Sequence, residues 1–270
     1  MRQIVFSAAL VVCLTACGGG GGGSSEPTGP PPLPDAQSPG GIWFGIDSAG
    51  ESVVFYIAET GELRTSMHPE GTIFVSFGGG TFDVTSSNIV AGSFELSGAV
   101  SPSTFQRGED FGCSMSGSIQ ERQTLSVDVT CSDSNGVVYD EALSLMYDPN
   151  VYGRDSSLDA LVGSYTLEFQ PDTNSLTVAA DGTLFGMYHN GARCMIDGSA
   201  SVIDTDYTFL KITWTMTACT DLLGVYEGTV MSGFAMANLA PTGDPDSYYF
   251  LLTGQAQDGL FSVSVMYEPT

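Results

Sequence analysis

Basic residues are scarce in this sequence. Seven Lys and Arg stand against 31 Asp and Glu, giving a formal charge of −24 over 270 residues. A chain this acidic repels nucleic acid and anionic lipid headgroups, which excludes both as partners held by charge. Histidine is scarcer still, with only His68 and His189. His68 stands before Pro69 and His189 before Asn190-Gly191, so both read as solvated turn residues. Neither is accompanied by the Gly-x-Ser-x-Gly elbow that would supply the nucleophile of a Ser-His-Asp triad. Long runs of Ala, Leu, Glu and Lys are missing, which excludes a helical protein. No apolar run reaches the ~20 residues that a membrane-spanning helix requires.

What is present begins with a leader. Arg2 supplies one positive charge, and Ile4 to Leu14 is apolar apart from Ser7. That stretch fits the hydrophobic region of a secretory signal peptide. It closes on Leu14-Thr15-Ala16-Cys17, which resembles the bacterial lipobox, where small residues precede an invariant cysteine. The resemblance, carried by residues 1–17, implies a bacterial lipoprotein. Its signal peptide is residues 1–16, and Cys17 is acylated on its thiol and on its new amino group. Two or more acyl chains anchor a protein stably, where one does so only marginally. Gly18 rather than Asp follows the cysteine. In such lipoproteins that points to the outer membrane, at its periplasmic face or at the cell surface.

Six glycines, Gly18 to Gly23, come next, followed by prolines at 27, 30, 31, 32, 34 and 39. Nothing here can bury apolar area, so residues 17–40 read as a disordered, lipid-anchored linker. Poly-glycine in this place is similar in composition to the anchors of surface-displayed lipoproteins, including transferrin-binding and complement-factor-binding ones.

The rest of the chain alternates with a period of two. Val53, Phe55 and Ile57 share one face, as do Leu125, Val127 and Val129, and Leu210, Ile212, Trp214 and Met216. Turn signals such as Glu59-Thr60-Gly61, Ala180-Asp181-Gly182 and Gln257-Asp258-Gly259 separate such runs. Short alternating strands with Asp-Gly and Asn-Gly turns indicate an all-β, antiparallel barrel or sandwich. The chain also echoes itself. Leu143 to Pro149 parallels Val263 to Pro269, Gly41-Ile42-Trp43 parallels Gly163-Ser164-Tyr165, and Glu59 to Leu63 parallels Ala180 to Leu184. The expected architecture is therefore two tandem β-barrel or β-sandwich lobes, 41–149 and 161–270, joined by a polar bridge over 150–160. Gly41-Ile42-Trp43 resembles the opening of lipocalin-type barrels, whose tryptophan plugs the barrel floor; Trp43 reads as a core aromatic.

Once Cys13 leaves with the leader and Cys17 takes lipid, Cys113, Cys131, Cys194 and Cys219 remain. An even number in an oxidising compartment implies disulfides. Of three connectivities, Cys113–Cys131 and Cys194–Cys219 keep each bridge within one lobe and are the expected pairs. Zinc prefers closely spaced ligands such as Cys-x-x-Cys, which these cysteines do not provide. Cys219 is out of phase with the Leu210-to-Met216 face, so a bulge or a strand end is expected there.

Asp148, Asp155, Asp244 and Asp246 offer oxygen ligands for calcium but lack the spacing of an Asp-x-Asp-x-Asp-Gly loop, so ordinary turn chemistry is the preferred reading and no metal site is expected. Tyr152, Tyr248, Tyr249 and Phe250 lie near these loops, as a contact patch or as half-buried strand residues. No catalytic set and no cofactor are expected. The function indicated is a binding or interaction module held to the membrane by its lipid, for an unknown protein or small-molecule ligand. A structural accessory of an envelope assembly and a glycan- or lipid-acting hydrolase with paired carboxylates are the alternatives.

The leader carries the first test. Intact-mass analysis of the product from its bacterial host is expected to show an acylated chain beginning at Cys17. Cys17→Ser is expected to move the protein from the membrane to the soluble fraction.

Overall fold

The computed structural model describes residues 37–48, 50, 52–68, 76–85, 87–99, 107–132, 138–149, 151–153, 156–169, 172–189, 193–220, 227–236, 250–256 and 262–269. The leader, Cys17 and the glycine run lie outside them. The described chain is all β. Its strands are β1 (Gly41–Ile46), β2 (Ser52–Ile57), β3 (Glu62–His68), β4 (Ser76–Val84), β5 (Ile89–Ala99), β6 (Arg107–Gln120), β7 (Thr124–Ser132) and β8 (Val138–Tyr147), then β9 (Gly163–Phe169), β10 (Asp172–Val178), β11 (Thr183–His189), β12 (Arg193–Val202), β13 (Leu210–Thr217), β14 (Val230–Met236), β15 (Phe250–Ala256) and β16 (Ser262–Pro269). One turn of 3-10 helix, Leu158–Ala160, precedes β9.

Strands β1 to β8 pair in sequence order, all antiparallel, and form a closed barrel. Closure comes from β8 meeting β1 at Phe44↔Met146 and Trp43↔Tyr147. Strands β9 to β16 form a second antiparallel sheet in the same order, and β16 returns to β9 at Glu268↔Thr166 and Pro269↔Tyr165. The repeated segments occupy corresponding places. The Ala58-to-Gly61 and Ala179-to-Gly182 turns make the same three bonds. In the first, Ala58 N donates to Glu62 O, Gly61 N to Ala58 O, and Phe82 N to Gly61 O. In the second, Ala179 N donates to Thr183 O, Gly182 N to Ala179 O, and Ala200 N to Gly182 O. Gly61 at φ 80° and Gly182 at φ 84° take the left-handed conformation that both turns need. Trp43 Nε1 donates to Pro39 O, and Tyr165 Oη donates to Leu161 O, each reaching back four residues from the third position of its opening strand.

The first barrel is filled. Trp43, Phe55, Ile57, Leu63, Phe82, Phe94, Leu125, Val129 and Leu145 pack inside it with the Cys113–Cys131 bridge. An eight-stranded barrel leaves room for little more than its own inward side chains. Cys113 and Cys131 face each other across β6 and β7, whereas Cys194 on β12 is bridged to Cys219 beyond β13. Strand β13 ends at Thr217, and Ala218 turns to φ 49°, which is the strand end expected from the phase of Cys219. Closing loops of 18 and 25 residues, the bridges contribute about 3 kcal/mol each by restricting the unfolded chain.

The two sheets belong to one compact unit, Pro34–Thr270. Ile42, Ala58, Tyr152, Phe209, Phe234 and Met236 are buried between them. The segment expected to be a polar bridge therefore places Tyr152, only 1% exposed, in a core. Its ring stacks on Tyr207 at 5.0 Å and meets Phe209 edge-on at 4.9 Å. Its hydroxyl donates to Glu59 at 3.2 Å. Burial, reinforced by the Glu59 carboxylate, pushes that phenol far above the ordinary tyrosine range. The seam also gathers cations. Arg64 donates to Glu62 at 2.7 Å and to Ser232 O at 2.8 Å; Lys211 reaches the same Glu62 carboxylate at 2.5 Å. Arg122, at φ 55° in the β6–β7 turn, bonds the Tyr207 hydroxyl and stacks over its ring at 5.1 Å. Burial pulls the Arg64 pKa below its ordinary value while Glu62 opposes that shift; a guanidinium stays charged through such a change.

This network predicts unequal mutational costs. Arg64→Ala leaves Ser232 O without its donor and half-dismantles a largely buried ion cluster, and is expected to cost about 2–4 kcal/mol in urea unfolding. Arg122→Ala, at an exposed turn, is expected to cost under about 1 kcal/mol.

Candidate functional site

The first barrel's interior is occupied by its own side chains, and a recess lies on its outer wall. Over β4 to β7 that wall is unusually bare. Its residues fall into rows running across the strands, because antiparallel register sets them opposite one another. One row is hydroxyl-bearing: Thr81↔Ser93, Ser93↔Ser114 and Ser114↔Thr130. The row beside it is Gly79↔Glu95, Glu95↔Gly112 and Gly112↔Ser132. The next row on the other side, Asp83, Ala91, Ser116 and Asp128, is also of short side chains.

The glycines make the wall concave. A recess of about 550 Å³ lies over Gly79, Thr81, Ser93, Glu95, Gly112, Ser114, Thr130 and Ser132, with Gly80, Phe94 and Cys113 contributing to its floor. Phe94 and Cys113 send their side chains into the core. Gly80 faces the interior too, and a Cβ there would sit 2.7 Å from that of Phe94. At Gly112 the opposite holds: a Cβ would meet nothing within 4 Å, because the position opens into the recess. The hydroxyls of the row are about 4.8 Å apart, the strand spacing. A hydroxyl can donate one hydrogen bond and accept others, Thr130 Oγ1 already donating to Asp140 at 3.3 Å, whereas the Glu95 carboxylate only accepts. The donors and acceptors suit a polar ligand. Among the described lining residues there is no nucleophile–base pair, and Glu95 is the one carboxylate.

The residues singled out from sequence fall elsewhere. His68 and His189 end β3 and β11 rather than sitting in turns, and the His189 amide donates to the Asn174 side chain. Asp148 is held in the chain's exit from β8, its amide donating to Ile42 O at 2.9 Å. Asp155, Asp244, Asp246, Tyr248 and Tyr249 lie outside the described residues. Among the described residues no group of three or more His, Cys, Asp or Glu is placed to hold a metal ion. Phe44, Ile46 and Met146 form a second exposed feature, an apolar strip where β1 meets β8.

No family model matches the chain, and no curated protein matches it.

The glycines of the recess separate filling it from breaking the barrel. Gly112→Val is expected to change unfolding stability by less than about 0.5 kcal/mol, as an exposed strand substitution into open space. Gly80→Val, forced against Phe94, is expected to cost roughly 1–3 kcal/mol. Urea midpoints of the two variants check both.

Proposed function

We propose that the chain is a lipoprotein of the bacterial outer membrane that acts as a binding module: two tandem barrel lobes on a lipidated Gly/Pro stalk, engaging a partner through the outer wall of the first lobe. The observation that carries this reading is the recess over Gly79, Glu95 and Gly112, on the outside of a barrel whose interior is full. The lipobox-like Leu14 to Cys17 and the glycine run after it support the location. The stalk supplies reach, since a glycine-rich coil lets the body search the volume around its anchor. The hydrolase alternative needs two facing carboxylates about 5–10 Å apart, and the described residues of the recess supply one, Glu95.

A photoreactive residue placed at Gly112 in living cells is expected to yield a discrete crosslinked adduct. The same residue at Asp197, on the outer wall of the second sheet, is expected to yield none. Adducts absent at Gly112, or identical at both positions, would remove the recess as the binding surface.

A further inference from the structure

The recess carries a charge signature that names a class of partner. Among the described side chains of β4 to β8, the charged ones are Asp83, Glu95, Asp128, Asp140 and Glu141, all acidic. Asp83, Glu95, Asp128 and Asp140 alternate with Ser, Thr, Gly and Ala on the outer wall. Glu95 stands between two glycines in its row, so no side chain of that row covers its carboxylate. Of the basic residues with described side chains, Arg64, Arg122 and Lys211 are committed to the seam between the sheets.

We infer that the recess binds an extended, basic segment of polypeptide, with a Lys or Arg of the partner on Glu95 and its main chain lying along the glycine row beside the hydroxyls. This rests on the reading of the recess as a binding surface and adds the chemistry of the ligand. Charge complementarity carries it. By register Asp83 and Asp128 share a row four residues along the strands from Glu95, roughly 13 Å away and beyond a Debye length, so Glu95 is the carboxylate that meets a ligand in the recess directly. An acidic ligand is repelled by the same groups. Among the described lining residues the one ring is Phe94, which is 3% exposed and offers a glycan no platform. Ser and Thr hydroxyls serve the amides and carbonyls of an extended peptide as donors and acceptors alike.

The test uses the full chain in detergent micelles and a fluorescein-labelled hexalysine peptide, followed by anisotropy at low and physiological salt. Hexalysine is expected to bind, more weakly as salt rises, while hexaglutamate and chitohexaose do not. Glu95→Gln is expected to weaken hexalysine about fivefold, the effect of losing one exposed ion pair. Gly112→Val, which fills the recess, is expected to weaken it about tenfold or more. Asp197→Asn removes the same charge from the second sheet and is expected to leave binding unchanged. Equal weakening by Glu95→Gln and Asp197→Asn would mean that the chain's overall acidity attracts the peptide, and would overturn the inference. Binding of chitohexaose in place of hexalysine would overturn it in favour of a glycan. If Gly112 crosslinks to a partner in cells while hexalysine fails to bind, the ligand class falls and the binding surface stands.

Discussion

The volume inside an eight-stranded barrel governs the rest of this molecule. The interior accepts roughly the side chains that its own strands point inward. Trp43, Phe55, Phe82 and Phe94 are large for that space, and they fit because glycine stands opposite some of them. Gly80 faces the backbone and Cβ of Phe94, and in the second sheet Gly198 lies under Trp214, where a Cβ would come within 2.7 Å of the Trp214 Cβ. Small residues opposite large ones are how a closed barrel reaches interior packing density. The same requirement fills the first barrel with its own side chains, and the recess lies on the outer wall, where strands β4 to β7 present hydroxyls and glycines.

The seam is the second constraint, and it uses a scarce resource. The chain has seven basic residues, and Arg64, Arg122 and Lys211 all join one sheet to the other. Two acidic surfaces approaching each other would repel; placing cations where they meet offsets that. Arg122 shows the selection most directly. Its φ of 55° is a conformation that glycine or asparagine adopts more readily, yet an arginine stands there with its guanidinium over Tyr207. With these three cations at the seam, the charged side chains described on β4 to β8 are all acidic, so the packing of one region bears on the electrostatics of another.

Much of the fold was legible from alternation. Inward and outward positions on β2, β7 and β13 meet different media, so Val53, Phe55 and Ile57, or Leu210 to Met216, announce their strands. The off-phase Cys219 marked a strand end for the same reason. The seam was not legible, because there both faces of a strand are buried and alternation fails. Phe234, Ala235 and Met236 are consecutive and all buried, one facing the interior and two facing the seam. That run was the available signal, and Tyr152 amid polar residues was another. The recess was hidden for a different reason. Gly79, Glu95, Gly112 and Ser132 are 53 residues apart end to end and become a row only through the register of three hairpins.

The internal echo in the sequence does not extend to the cysteines. The segments that resemble each other fall on the first three strands and the last strand of each sheet, and the Ala58 and Ala179 turns agree bond for bond. The disulfides do not correspond. One ties the sixth strand of its sheet to the seventh, while the other ties the fourth to a residue just past the fifth. A disulfide needs only two inward or edge positions whose Cα atoms lie close, and many neighbouring strand pairs in a barrel supply one. The ends of a barrel are less interchangeable. In each sheet the opening strand carries an aromatic that reaches back to the chain before it, Trp43 to Pro39 and Tyr165 to Leu161, and the last strand pairs beside it. Where closure constrains the chain the two halves remain alike, and where a cross-link only adds stability they differ.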